Sequence, residues 1–149
     1  MRTTLTLEPD VAEQLERTFR TNIFGYFQMA KFSLPHMKPG GSIINTGSIT
    51  GLEGNKQLLD YSSTKGAIHA FTKSLAQNVV ERGIRVNCVA PGVIETDMTD
   101  EMFKEEALKM IPMKCFGKVE DIASTIGFLF SADAGYITRQ VINVNGGMA

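Results

Sequence analysis

Three short apolar runs constrain this chain most: SIIN at 42–45, IRVNCVAPG at 84–92 and QVINV at 140–144. Each is too short and too β-branched for a buried helix, and each is separated from the next by a stretch long enough to hold one. Strands joined through helices run parallel, because a parallel neighbour is out of reach of a tight turn. Before the first run, Val11, Leu15, Phe19, Ile23, Phe27 and Ala30 recur every three or four positions, which predicts a long helix. Asp10, with Glu13 three positions on, has the spacing of a capping box, and LPHMKPGG ends the element. A loop is expected from Gly47 to Leu59, then a second helix from about Tyr61 to Arg82, stopped by Gly83. Its inner side is assigned to Ala67, Ala70, Phe71, Leu75, Val79 and Val80. Thr99 to Ile111 reads as a looser helix closed by Pro112, and Val119 to Phe130 as another. The order predicts an α/β domain, a parallel sheet of three strands with helices on both faces. The outer edge of the first strand would expose unpaired backbone on an apolar strand, so something is expected to lie beside it.

The length of 149 residues, with 43% hydrophobic and 21% charged side chains, suits one folded domain and not a disordered or collagen-like chain. A formal charge of -1 carries no footprint of a nucleic-acid or anionic-lipid partner. No apolar stretch approaches the about 18 residues of a membrane span, and MRTTLTLEPD lacks the apolar centre of a secretory signal. Cys88 and Cys115 have no CxxC spacing, so neither a disulfide nor a thiolate zinc site is expected, and a cytoplasmic location follows as the reading. His36 and His69 have no partner at ligand spacing; surface or packing roles are expected for them, and no metal. Cys88, alternating with apolar residues, reads as a small core residue.

Tyr61 and Lys65, in YSSTK, stand four positions apart and so share one side of a helix. An ammonium beside a phenol favours the phenolate, the form that a general base needs. By itself YxxxK describes a solvated surface pair in most chains. Here it has company. Ser48 lies just past the first strand run, thirteen positions before Tyr61. Asn22 interrupts the first helix within TNIFG, where an asparagine is a mediocre helix former. Pro91, Gly92 and Thr96 in APGVIETDM follow the second strand run at its carboxyl end, the rim at which open α/β sheets hold ligands.

Taken in order, TNIFGYF, SIINTGS, DYSSTKGAIHAFTKSLA, RGIRVNCVAPGVIETDM and YITRQVINVNGG resemble the C-terminal, catalytic part of a short-chain dehydrogenase/reductase. The resemblance covers nearly the whole chain and implies a partial Rossmann-type, doubly wound domain over 1–149, lacking the N-terminal nucleotide-binding half. It further implies NAD or NADP as cofactor and a small alcohol or carbonyl substrate. Tyr61 would be the acid and base, Lys65 would favour its phenolate and hold the nicotinamide ribose, and Ser48 would bond the substrate oxygen. Asn22 would orient a water that relays protons to Lys65. Pro91, Gly92, Ile94 and Thr96 would contact the nicotinamide side. The family's TGxxxGxG phosphate loop has no counterpart in the sequence. Arg139 stands where the family commonly has glycine, and Gly47 where many members have a second small polar residue.

The segment from TFRTNIFGYF to RVNCVAPG resembles the glucose-dehydrogenase-like and general-stress branch, whereas GVIETDM to INVNGGM resembles 3-oxoacyl-[acyl-carrier-protein] reductases. Met98, Met102, Met110 and Met113 bracket the looser helix as an apolar lid or as ordinary packing, two readings of equal weight. Apolar residues on several faces of the two long helices, Phe24, Phe32 and Phe71 among them, point to a homo-oligomer; the resemblance implies a dimer or tetramer. The alternative reading is a truncated, catalytically inactive homologue acting only as an interaction or assembly piece.

Overall fold

Three parallel strands form the centre of the molecule: β1 (Ser42–Thr46), β2 (Arg85–Pro91) and β3 (Val141–Val144), in the order β1-β2-β3. This computed structural model describes residues 8–96 and 101–149. Ile43 lies opposite Val86 and Asn45 opposite Cys88, while Val89 faces Ile142. The central strand is buried from Val86 to Ala90 because helices cover both of its faces, which is why its sequence is apolar without alternation.

The helices are α1 (Pro9–Phe19), α2 (Gly25–Ser33), α3 (Thr50–Glu53), α4 (Leu59–Val79), α5 (Glu101–Met110) and α6 (Val119–Phe130). On one face of the sheet Ala30 of α2 and Leu75, Ala76 and Val79 of α4 pack with Ile84 and Val86. On the other, Leu129 of α6 and Ala134 pack on Val89, flanked by Ile44, Ile126 and Ile142. Arg85 donates to the Leu129 carbonyl at the end of α6 (2.8 Å), where a cation meets the helix's negative pole. The fully buried Asn87 donates to the Ile137 carbonyl (2.8 Å) and accepts from the Gln140 N–H (3.0 Å), which fixes the approach to β3.

Several boundaries differ from the sequence expectation. The first helix starts at Pro9 with Glu8 as its cap residue and no side-chain cap bond, so Asp10 lies inside it and closes no capping box. Proline at the first position already fits the helix and needs no donor there. The same helix is interrupted by a π turn over Arg20–Phe24, which separates α1 from α2. Val11 and Phe27, assigned to its buried stripe, are exposed, as are Ala70 and Val80 of the second helix. The expected 47–59 loop contains α3, and α4 starts at Leu59, two residues early. The looser helix spans Glu101–Met110; Thr99 lies outside the described residues. β3 begins at Val141, since the Gln140 N–H is taken by the Asn87 side chain.

Arg139 adopts φ 67°, the left-handed region that a side chain disfavours, while its N–H donates to the Val86 carbonyl at 2.7 Å. Arg139→Gly relieves that strain but loosens the unfolded chain, so a net gain of about 0.5 kcal/mol is expected. Arg139→Val, stiff and β-branched, is expected to destabilise by more than about 1 kcal/mol. Urea unfolding midpoints of the two variants check both directions.

Candidate active site

The carboxyl ends of β1 and β2 are locked together beyond the strands themselves. The Gly47 N–H donates to the Val89 carbonyl (2.8 Å) and the Ile49 N–H to the Pro91 carbonyl (3.0 Å), which holds Ser48 between two anchored backbone groups. Ser48 is buried, and its hydroxyl accepts from the N–H and the hydroxyl of Thr50 (3.2 and 3.1 Å).

α4 aims a row of polar side chains at this rim. Tyr61, Lys65 and His69 follow one another at four-residue intervals and so share a helix side. Lys65 is 8% exposed, its Nζ lies 5.4 Å from the Tyr61 ring centroid, and it donates to the Thr46 carbonyl (3.1 Å). Burial pushes its ammonium below the ordinary lysine value, with a small opposing effect from the Cys88 thiol. The Tyr26 hydroxyl donates to the same Thr46 carbonyl (3.0 Å), and burial pushes its phenol up.

Asn22 sits in the π turn, a distortion frequent at functional sites. Its Nδ2 donates to Thr64 Oγ1 (3.0 Å), and that hydroxyl donates to the Tyr61 carbonyl (2.7 Å). Near the end of α1, Thr18 donates to the Asp60 carboxylate (2.8 Å), which lowers its pKa, as does the weaker bond from Gln14. These bonds tie the first helix and the π turn to the start of α4, the helix that carries Tyr61 and Lys65.

The segment after β2 closes the other side. The Gly92 N–H donates to the Val144 carbonyl (2.9 Å), and a Cβ at Gly92 would come within 2.7 Å of the Asn145 backbone, so only glycine allows this approach. Ile94 pairs with Gly117, and the Glu95 N–H donates to the Gly117 carbonyl (2.8 Å). Pro91 is thereby held beside the Ser48 turn, Gly92 against Asn145 and Ile94 against Gly117, with Thr96 following on the surface. Met98 and the side chain of Met102 lie outside the described residues, and Met110 and Met113 are exposed. Sequence reasoning missed His69 and Tyr26 as parts of the site. The usable signal was spacing: His69 continues the Tyr61–Lys65 row by four residues, and Tyr26 follows Asn22 by four.

A family model described as "Enoyl-(Acyl carrier protein) reductase" matches residues 6–149. The chain is 49% identical over 146 residues to "Glucose and ribitol dehydrogenase" of Daucus carota, covering 95% of this chain and 50% of that protein. Among solved structures, a Brucella melitensis protein described as "Short-chain dehydrogenase/reductase SDR:Glucose/ribitol dehydrogenase" superposes with a TM-score of 0.84 at 32% identity, covering 99% of this chain and 61% of that one. A "blue fluorescent protein from metagenomic library in complex with NADPH" superposes with a TM-score of 0.88 at 31% identity, covering 99% and 63%. The chain spans about half the length of the curated relatives it matches.

Two outcomes follow for stability. Thr64→Val removes the acceptor of Asn22 and is expected to destabilise by about 1–2 kcal/mol in urea unfolding. Because the folded pKa of Lys65 is lowered, the unfolded chain holds its proton more tightly, and stability rises with pH as the ordinary lysine value is approached. Relative to Lys65→Met, the native chain is therefore expected to gain stability between neutral and alkaline pH; a constant difference would contradict the assignment.

Proposed function

Because this chain belongs to the short-chain dehydrogenase/reductase family, we propose that it carries the catalytic portion of an NAD(P)-dependent oxidoreductase acting on a secondary alcohol or ketone. The observation that carries this reading is the buried Lys65 ammonium beside the Tyr61 ring, on a helix tied through Thr64 to Asn22. In the reducing direction Tyr61 gives its phenolic proton to the carbonyl oxygen as a hydride reaches the carbonyl carbon; in the oxidising direction it takes the hydroxyl proton. Lys65 favours the phenolate form, and Ser48 donates to the substrate oxygen as charge gathers there. Asn22 orients a water on the path by which the proton is replaced.

The donor set fits the nicotinamide end of a dinucleotide. A phenol and an ammonium on one helix side match the hydroxyls of a ribose, and Pro91, Gly92, Ile94 and Thr96 form the adjoining wall. Bound nicotinamide supplies or accepts the hydride. The two glycines of the turn after β1 do not offer a pyrophosphate cradle, since a side chain at Gly47 or Gly51 would run into His69 and not into open space. Residues 1–149 are accordingly a catalytic and substrate portion of the domain, acting on a small substrate with NAD or NADP.

A second reading, an inactive interaction or assembly piece, is favoured by one observation. Phe24, Phe27, Met29 and Phe32 are each more than half exposed along the π turn and α2, next to Phe71, whose ring lies 4.3 Å from that of Phe27. A surface of this kind suits a homo-oligomer, and self-association belongs to both readings.

Fluorescence titration of the purified chain with NADH and NADPH, together with its mass in solution, separates them. Saturable binding with turnover of a ketone is expected on the first reading, and a defined oligomer that binds neither nucleotide on the second. Where turnover is measured, Tyr61→Phe is expected to lower kcat/KM by about 10²–10⁴-fold with nucleotide binding retained. Full activity in that variant would refute the role of Tyr61.

A further inference from the structure

One side chain shapes the turn that carries Ser48. A Cβ on Gly47 would fall on His69 Nε2 and within 2.6 Å of its Cδ2, and a Cβ on Gly51 would come within 2.8 Å of its Cε1. The imidazole thus occupies the space that a side chain at position 47 would need. A Cβ on Gly51 would also come within 2.7 and 2.8 Å of the backbone of Lys65 and Gly66, so its glycine serves the close approach of α4 as well. His69 is 5% exposed, and its Nε2 accepts the N–H of Ser48 in a long bond of 3.4 Å.

That bond specifies a protonation state. Nε2 accepts only when it carries no hydrogen, so the single proton of the neutral ring sits on Nδ1. Nδ1 is buried without a partner of hydrogen-bonding geometry, although the Gly51 carbonyl favours a proton on the ring. Burial first, then the Lys73 and Lys65 ammonium groups of the same helix, disfavour the imidazolium. From β2 the Cys88 thiol, 2.9 Å from the same Cβ position at Gly47, stays neutral because burial pushes it up to about 11. On α3, Glu53 is exposed.

We infer that His69 is a positioning residue: a neutral, Nδ1-protonated imidazole wedged into the space left by Gly47, which holds the Ser48 amide and so sets the direction of the Ser48 hydroxyl. Protonation of Nε2 opposes one donor to another and releases the turn. Only the meaning of Ser48 for catalysis rests on the function proposed above; the His69–Ser48 coupling does not.

Nitrogen-15 NMR of the histidine rings in the 149-residue chain tests this without nucleotide or substrate. The expected result is an Nδ1-protonated His69 at neutral pH, with a Ser48 amide that loses protection from hydrogen exchange as the pH falls below the ordinary histidine value of 6.5 and through the lowered folded one. An Nε2-protonated ring, or Ser48 exchange indifferent to the titration of His69, would overturn the inference. His69→Gln keeps an acceptor near the Nε2 position and is expected to preserve Ser48 protection, whereas His69→Leu is expected to lower it roughly threefold to tenfold. Equal protection in the two variants would also overturn it. Gly47→Ala is expected to disturb the native chain more than it disturbs His69→Ala, with a remainder due to Cys88, and additive effects would count against the wedge. Where turnover is measured, His69→Leu is expected to reduce kcat more than it alters KM, with rescue by His69→Gln. If Ser48→Ala left turnover unchanged while the NMR results held, the catalytic reading would fail and the positioning of Ser48 would stand.

Discussion

The apolar row Ile68, Leu75, Ala76 and Val79 presses α4 onto the sheet, and because Tyr61, Lys65 and His69 lie on the same helix, the packing that buries the first group also aims the second. A rotation of α4 sufficient to expose Lys65 would also pull Val79, fully buried, out of contact with Val86. Hydrophobic burial of a few side chains at about 25 cal/mol per Å2 therefore sets the orientation of a phenol, an ammonium and an imidazole for which no local interaction would suffice.

The same arrangement places polar groups inside the sheet–helix layer, and several of them have specific partners. Asn45 donates to Thr72 Oγ1 (2.9 Å), and Thr72 in turn donates to the Ile68 carbonyl (2.8 Å). Lys65 and Tyr26 converge on the Thr46 carbonyl. A buried donor left without an acceptor is destabilising by roughly 1–3 kcal/mol, so these pairs specify one register of α4 over β1. The edge strand β1 contributes in two directions: one side pairs with β2, and the other, with Ser42, Ile43 and Ile44, lines a groove of about 460 Å3 against Tyr26, Met29 and Ala30.

The polar face of the site and the apolar outer face of α2 are thus two consequences of one helix pair. The π turn allows Asn22 to reach Thr64 while Phe24 and Phe27 stay more than half exposed. No helix among the described residues is long and apolar enough to cross a membrane, and the exposed aromatic residues of α2 are interspersed with the exposed Gln28 and Lys31.

Spacing in the sequence by itself determined the alternation of helices and strands, the parallel order, the end points of α6 and the coupling of Tyr61 with Lys65, because each follows from local periodicity within about a turn or two. The tertiary structure alone decided what depends on residues far apart. Asn22 meets Thr64 across 42 positions, and Ser48 meets His69 across 21. Nothing local marks the π turn, or distinguishes a packing histidine from one whose lone pair takes a backbone amide. A helix's apolar period shows which side faces inward, but the partner it meets there is set by how the chain closes on itself, and the lone pairs and donors that must pair across that closure have no periodicity to read.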